Sequence, residues 1–406
     1  MEKHELRAAA SLAAVFCVRM LGLFMVYPVF AAFARHLSGA TPYKIGVALG
    51  IYGLSQGLLQ IPFGVLSDRI GRKAMIVLGL IAFGIGSVIA ASATTIGGMI
   101  LGRLLQGAGA VGSVVLALVA DLTAEKSRTQ AMALIGMSIG FSFLLAIVTG
   151  PVIAGWIGVA GIFWLMALLA LAGIAITLFV VPAPPRLHAQ RGADTVPALI
   201  GANLRNPELL RLDFGIFALH AMLTASFLVV PALLRGTLAV SNHDQWQVYL
   251  PVLVASVAVM APAIVLAERY RRMKSVLVCA VAALALSQLM LALAGNDAYV
   301  LLAGLVVFFS GFNIMEASLP SLVTKTAPAG STGTATGIYS SSQFLGIFAG
   351  GIIGGWVHQA AGAAGVFFFA GGLAIVWLLV AAAMHGPALG HDGGHLTVTA
   401  RRSPKR

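Results

Sequence analysis

The sequence predicts an all-α integral membrane protein with twelve transmembrane helices in two pseudo-symmetric six-helix halves. Three observations carry this expectation: an apolar composition, a succession of twelve apolar stretches, and an internal repeat displaced by 200 residues. The chain has 406 residues, of which 59% are hydrophobic and only 9% charged, and its mean hydropathy is +0.97. Soluble globular domains are about half apolar and about a quarter charged. A bilayer is therefore an expected partner.

A spanning helix needs about 20 predominantly apolar residues. Twelve such stretches lie near 9–34, 44–66, 74–94, 97–120, 131–155, 161–182, 212–234, 246–267, 275–294, 298–322, 331–355 and 364–385. The first is too long for a signal peptide and lacks a convincing cleavage site, so it reads as a span. With both termini on the cytoplasmic side, 20 of the 25 Lys and Arg fall in cytoplasmic segments. The opposite loops keep Arg35, Lys44 and Arg235, while Arg19 and Arg103 lie within spans. This is the positive-inside pattern. The net charge of +12 thus reports topology and contact with anionic lipid, and no nucleic-acid partner is expected. Cys17 and Cys279 both sit in predicted spans without metal-ligand spacing, and read as buried small apolar residues. No metal site is expected.

The repeat supports two halves. "GPVIAGWI" at Gly150 to Ile157 recurs as "GGIIGGWV" at Gly350 to Val357, and "SDRIGRK" at Ser67 recurs at the same displacement as "AERYRRM" at Ala267 to Met273. A shared offset is hard to obtain by chance. The organisation that follows is an N-terminal half over 1–182, a cytoplasmic linker over 183–211, a C-terminal half over 212–385, and a disordered basic tail over 386–406. The linker is expected to carry a short interfacial helix around Val196 to Leu204.

"GVLSDRIGRK", Gly64 to Lys73, concentrates Asp68, Arg69, Arg72 and Lys73 between two apolar runs. Gly64 and Gly71 permit a close helix approach and a tight turn, and the Asp68 carboxylate can cap a helix or pair with an arginine. Asp121, at the cytoplasmic end of the fourth span, is a plausible partner for Arg72. Together these residues are expected to form a latch. It would hold the halves together on the cytoplasmic side while the cavity faces outward, and break when the transporter opens inward. The simpler account is that the cations only fix topology.

This loop resembles the signature after the second helix of the major facilitator superfamily, and the fold implied is that family's. Arg103, Gln106, Gly107 and Gly109 in "RLLQGAG" look like the fourth-helix pattern of its proton-coupled members. "GPVIAG", with Gly150, Pro151 and Gly155, resembles the fifth-helix packing motif of the drug/proton antiporters, although Ala146 and Ala154 stand where that motif favours glycine. "RMLGLFMVYPVF", "NIMEASLPSL" and "YSSSQFLG" look like the YajR-type branch of these efflux proteins. The resemblance implies a monomer in a bacterial inner membrane, no cofactor, and a proton gradient as the energy source. It also implies a proton-coupling role for Arg103.

A charge near the bilayer centre costs roughly 2.5 to 3.5 kcal/mol on insertion scales. Glu316 is the one carboxylate well inside a predicted span, which makes it the leading proton-binding residue. His220 follows, because imidazole changes charge near physiological pH, and Asp121 is a further candidate for coupling. Structural roles stand beside these: Glu316 bonded to Asn313 or a hydroxyl, and His220 as a packing residue. Arg19 is left open between tuning a neighbour and anchoring a helix. Tyr27, Tyr52, Gln56, Phe141, Met222, Asn313, Tyr339 and Gln343 are expected to line a substrate cavity, or else to pack.

No nucleophile elbow, zinc-protease motif, phosphate loop or dinucleotide fingerprint stands in a suitable context, so an enzyme is not expected. The favoured expectation is proton-coupled efflux of small amphipathic or lipophilic compounds by alternating access. The alternative is a proton-linked importer or facilitator of a small metabolite.

Overall fold

In lipid every backbone polar group must find a partner within its own segment or a neighbour, and helices answer this demand. The computed structural model describes residues 2–182, 195–328 and 331–384. The expected basic tail and residues 183–194 of the linker lie outside the described residues. Ten helices are long and apolar enough to cross a membrane. Two of them run for 51 residues and turn back at a glycine with positive φ, Gly158 at 72° and Gly362 at 69°. Each is therefore two spans, and the total is twelve.

We label the spans in chain order. Helix α1 is Lys3–Met25 continued by Tyr27–Ala34, α2 is Pro42–Ile70, α3 is Arg72–Ala91, and α4 is Ile96–Ala108 continued by Gly112–Leu122. Helices α5 and α6 are residues 125–157 and 159–175 of Glu125–Ala175. In the second half, α7 is Pro207–Phe227 continued by Val230–Leu238, α8 is Trp246–Glu268, α9 is Met273–Leu293, and α10 is Ala298–Thr326. Helices α11 and α12 are residues 332–361 and 363–382 of Thr332–Ala382.

Local chemistry sets several ends. Thr41, Thr95, Asn206 and Asp297 accept the first free amides of α2, α4, α7 and α10 through their side chains. The interruptions of α1 and α7 fall beside Pro28 and Pro231, which donate no backbone hydrogen bond. The expected linker helix is present as Thr195–Leu204. It docks on the start of α11 through Ser331, whose hydroxyl donates to the Asn203 side-chain oxygen Oδ1 at 3.4 Å.

The halves meet mainly where α2 lies against α11. A Cβ on Gly50 would sit 2.8 Å from the Phe348 carbonyl, and one on Gly351 would sit 2.7 Å from the Gly50 Cα. Gly46 and Gly53 are as tightly opposed to α11 backbone. Small faces let two backbones touch in the absence of a water-driven force. All these contacts gather toward the end of the bundle that carries Lys44. There Tyr27 of α1 meets Thr224 of α7 at 3.1 Å between hydroxyls, and the Tyr43 amide donates to Gln359 at 3.3 Å. At the opposite end, which holds the Ser67–Lys73 loop and the linker, no hydrogen bond or ion pair joins the halves among the described residues.

The repeat reappears as geometry. Gly155 of α5 packs on His243, and Gly355 of α11 packs on the backbone of Pro42 and Tyr43. Each member of the second contact lies about 200 residues from a member of the first. The halves thus clasp each other by one contact used twice. Position 71 of the charged loop is Gly at φ 104°, and its repeat partner Arg271 holds φ 54°, which costs a side-chain-bearing residue. One expectation is corrected: Cys279 is exposed on the outside of the bundle, while Cys17 is half-buried and receives the Ser142 hydroxyl at 3.0 Å.

Two predictions follow from this packing. Overpacking a tight interface costs about 1 to 3 kcal/mol. Gly50→Val and Gly351→Val should therefore open the Lys44 end and raise maleimide labelling of a cysteine placed at Thr224, in a Cys17→Ser, Cys279→Ser background, by about tenfold. Separately, Arg271→Gly should stabilise the protein by about 0.5 to 1 kcal/mol, read as a higher melting temperature in detergent.

Candidate functional site

The membrane interior holds two polar centres, one in each half. The C-terminal centre is built from α7, α10 and α11. His220 of α7 is buried, and its Nδ1 lies 3.3 Å from the Ile216 carbonyl one turn earlier. A carbonyl only accepts, so Nδ1 carries the proton and Nε2 of the neutral ring is an acceptor. Gln343 of α11 supplies the matching donor, with its Nε2 at 2.9 Å from that nitrogen and 3.5 Å from Glu316 Oε1. Glu316 Oε2 lies 3.8 Å from His220 Nε2. Its side chain keeps 26% of its exposure, yet Oε2 itself is buried without a hydrogen-bond partner among the described residues, and the imidazole is buried as well.

Tyr339 lies one turn before Gln343 on α11, and Asp213 lies two turns before His220 on α7. Both are buried, and Tyr339 is within electrostatic reach of Glu316 and Asp213 alike. Among the described residues Asp213 makes no hydrogen bond or ion pair. Sequence reasoning missed it because the seventh span was expected to begin at 212, placing Asp213 at the headgroups. The helix begins at Pro207, and the signal available was Asn206-Pro207, a cap followed by a helix-starting proline.

The N-terminal centre is built from α1, α2 and α4. Arg19 and Arg103 are 1% and 0% exposed. Arg19 donates to the Tyr52 hydroxyl at 2.9 Å and to Gln56 Oε1, and Gln56 in turn donates to Gln60 at 3.3 Å. Arg103 lies over the same Tyr52 ring, 4.9 Å from its centroid, and donates to Gln106 at 3.0 Å. Gln106 is fixed by the Ser87 hydroxyl at 2.8 Å. The open question about Arg19 resolves to a shared tyrosine with Arg103.

The remaining expected cavity residues divide. Tyr27 belongs to the closed end, with its ring edge-on to Phe227 at 5.6 Å. Met222 is fully buried in α7. Asn313 donates to Ser256 at 2.8 Å, while the hydrogen bond to Glu316 comes from Gln343. Phe141 is 61% exposed. Phe143, two residues on, faces inward and stacks on Phe312 of α10 at 5.2 Å, with Phe24 of α1 edge-on at 5.0 Å. In lipid both faces of α5 are apolar, so periodicity does not tell them apart.

In the charged loop, Arg72 Nε lies 3.1 Å from Asp121 and a terminal nitrogen lies 2.5 Å from Asp68. Arg72 also bonds Ser67, and Lys73 donates to the Val181 carbonyl at 2.7 Å. Arg69 is exposed. A cross-half latch is not what these bonds make here. Every one of them stays inside the N-terminal half, tying α2, α3, α4 and the end of α6 together. Asp121 is at that loop and not beside Glu316. Gly150 packs on the Met25 carbonyl of α1, within the same half, and Pro151 follows it in α5.

Twelve membrane-crossing helices in two repeated halves, with polar groups held at the centre of each, define a membrane transporter, and the chain belongs to the Major Facilitator Superfamily, whose profile matches residues 12–351 and 212–394. Among its relatives, the inner membrane transport protein YajR of Escherichia coli (strain K12) is 45% identical over 387 residues, 95% of this chain and 85% of that protein. Multidrug resistance protein 2 of Bacillus subtilis (strain 168) is 33% identical over 169 residues, 40% of this chain and 41% of that one. The fold is also that of a bacterial homologue of the human lysosomal transporter Spinster, solved in an inward-facing, occupied conformation, with a TM-score of 0.73 at 14% identity over 94% of this chain and 96% of that one.

The Arg72 pairs differ in exposure. The Asp121 side chain is 26% exposed and that of Asp68 55%. Asp121→Asn should lower stability by about 1 to 2 kcal/mol and Asp68→Asn by less than about 1 kcal/mol. Thermal unfolding of the two purified variants checks the order.

Proposed function

We propose that the chain exports small amphipathic or lipophilic compounds in exchange for protons, by alternating access of the two halves. The observation that supports this reading most directly is the His220, Gln343 and Glu316 cluster: a partly buried carboxyl, a buried imidazole, and an amide between them. A proton on Glu316 leaves the cluster neutral, as the histidine tautomer requires. A proton on His220 Nε2 turns the 3.8 Å approach into an ion pair and forces the Gln343 amide to turn, because two donors cannot face each other. Proton occupancy is thereby linked to the setting of α11, the helix that seals α2.

The distribution of cations supports a cytoplasmic placement of both termini, which makes the sealed Lys44 end external and the state inward-facing. The inner membrane is the proposed location, after the relative from Escherichia coli. Efflux draws on the resemblance of "GPVIAG" to antiporters and on the partial match to the Bacillus subtilis protein. The chain is proposed to act as a monomer and to need no cofactor beyond the proton gradient.

Inside-out vesicles acidified by respiration, with a pH-sensitive dye, test the proposal. A transported compound should release protons with the wild-type protein, and Glu316→Gln should cut that release by at least about tenfold while the protein remains folded and abundant. Proton-linked uptake of a compound in whole cells, without any such release, would favour the importer instead.

A further inference from the structure

Arg19 and Arg103 are two buried cations in a membrane-embedded core, and neither meets a carboxylate among the described residues. Their protein partners are neutral: a tyrosine hydroxyl and ring, and two glutamine oxygens. Four of their nitrogens, Nε and Nη1 of Arg19 with Nε and Nη2 of Arg103, are buried without any acceptor. A buried charge costs several kcal/mol unless paired, and a guanidinium does not shed its proton to escape that cost. The carboxylates that could answer them within the N-terminal half, Asp68 and Asp121, are held by Arg72 at the far loop, and Glu5 bonds the Ala124 amide.

We propose that Arg19 and Arg103 form a binding site for the anionic head of a small organic molecule, a carboxylate, sulfonate or phosphonate. The open fork of Arg103, whose free Nε and Nη2 share one edge, matches such planar or tetrahedral oxyanions with paired N–H donors, and the free Nε and Nη1 of Arg19 add single donors around the same tyrosine. Tyr52 links the site to the interface between the halves, for its ring lies 6.4 Å from Phe344 of α11. The apolar remainder of the ligand is then directed toward that interface, where Phe344 lies. In this structure the donors are occluded, so the site admits its ligand as the halves part. This assignment names the substrate class of the proposed transporter and rests on that reading for passage across the membrane, although binding itself is measured without transport.

The test uses the purified full chain in an uncharged detergent at fixed ionic strength. Benzoate, benzenesulfonate and phenylphosphonate are compared with neutral benzamide and cationic benzylamine by thermal unfolding across a titration. At least one anion is expected to stabilise the wild-type protein saturably, and benzamide and benzylamine are expected not to. Arg19→Gln and Arg103→Gln should each weaken that anion by about tenfold or more. Arg19→Lys and Arg103→Lys, which keep the charge and lose the fork, should retain part of the affinity and serve where the glutamine variants do not fold. Lys44→Gln, at an exposed cation of the closed end, should bind as wild type. The proposal is overturned if no anion stabilises beyond benzamide, or if folded variants at both arginines bind as tightly as wild type. Binding without the vesicle dye signal would leave this site standing and remove proton-coupled efflux; a dye signal without anion preference would do the reverse.

Discussion

The architecture depends on direct backbone contact between α2 and α11. In a bilayer there is little hydrophobic reward for bringing helices together, since lipid tails are as apolar as leucine. Dispersion between closely fitted surfaces remains, and it falls off within a fraction of an ångström of separation. Gly46, Gly50 and Gly53 on one helix and Gly351 and Gly355 on the other remove the side chains that would hold the backbones apart. This contact fixes which end of the molecule is closed. Tyr27 with Thr224, Tyr43 with Gln359, and Gly155 with His243 all lie toward that same end.

The two polar centres carry different chemistry. Around Glu316 stand a carboxyl, an imidazole and an amide, groups whose chemistry allows a proton to be held or a donor to be turned. Around Tyr52, the charged groups are two guanidiniums held by neutral partners. One half of the molecule is thus suited to switching and the other to holding. Helix α11 connects them, since it carries Gln343 at the first centre, Phe344 against Tyr52 at the second, and the glycine face a turn or more further on. The charged loop serves a third purpose. With Arg72 bonded to Asp121 and Asp68, and Lys73 to Val181, the N-terminal half is braced as a single body, which rocking motions require.

The fold was legible because its causes are coarse. Span length, cation placement and a repeat offset all survive without knowledge of contacts, and the residues Glu316, His220 and Arg103 stood out because charge is rare in apolar surroundings. What escaped depends on facing and on distant partners. Phe141 and Phe143 differ by about 200° around one helix, yet lipid and core are both apolar, so no pattern of hydropathy separates them. The pairing of Arg19 with Tyr52 and Gln56 joins residues 33 and 37 positions apart. Asp213 was hidden by a helix start misplaced by five residues.

The paired clasps of Gly155 on His243 and Gly355 on Tyr43 have a mechanical consequence. Because each half contributes one glycine and one receiving loop, the closed end behaves as a button fastened from both sides. Tilting one half lifts its own glycine out of the partner's loop and, through the same motion, pulls its loop away from the partner's glycine. Neither clasp can be released alone without straining the other, so partial opening is penalised and the two releases are cooperative. The closed end of the molecule is thereby held by two fastenings that reinforce each other.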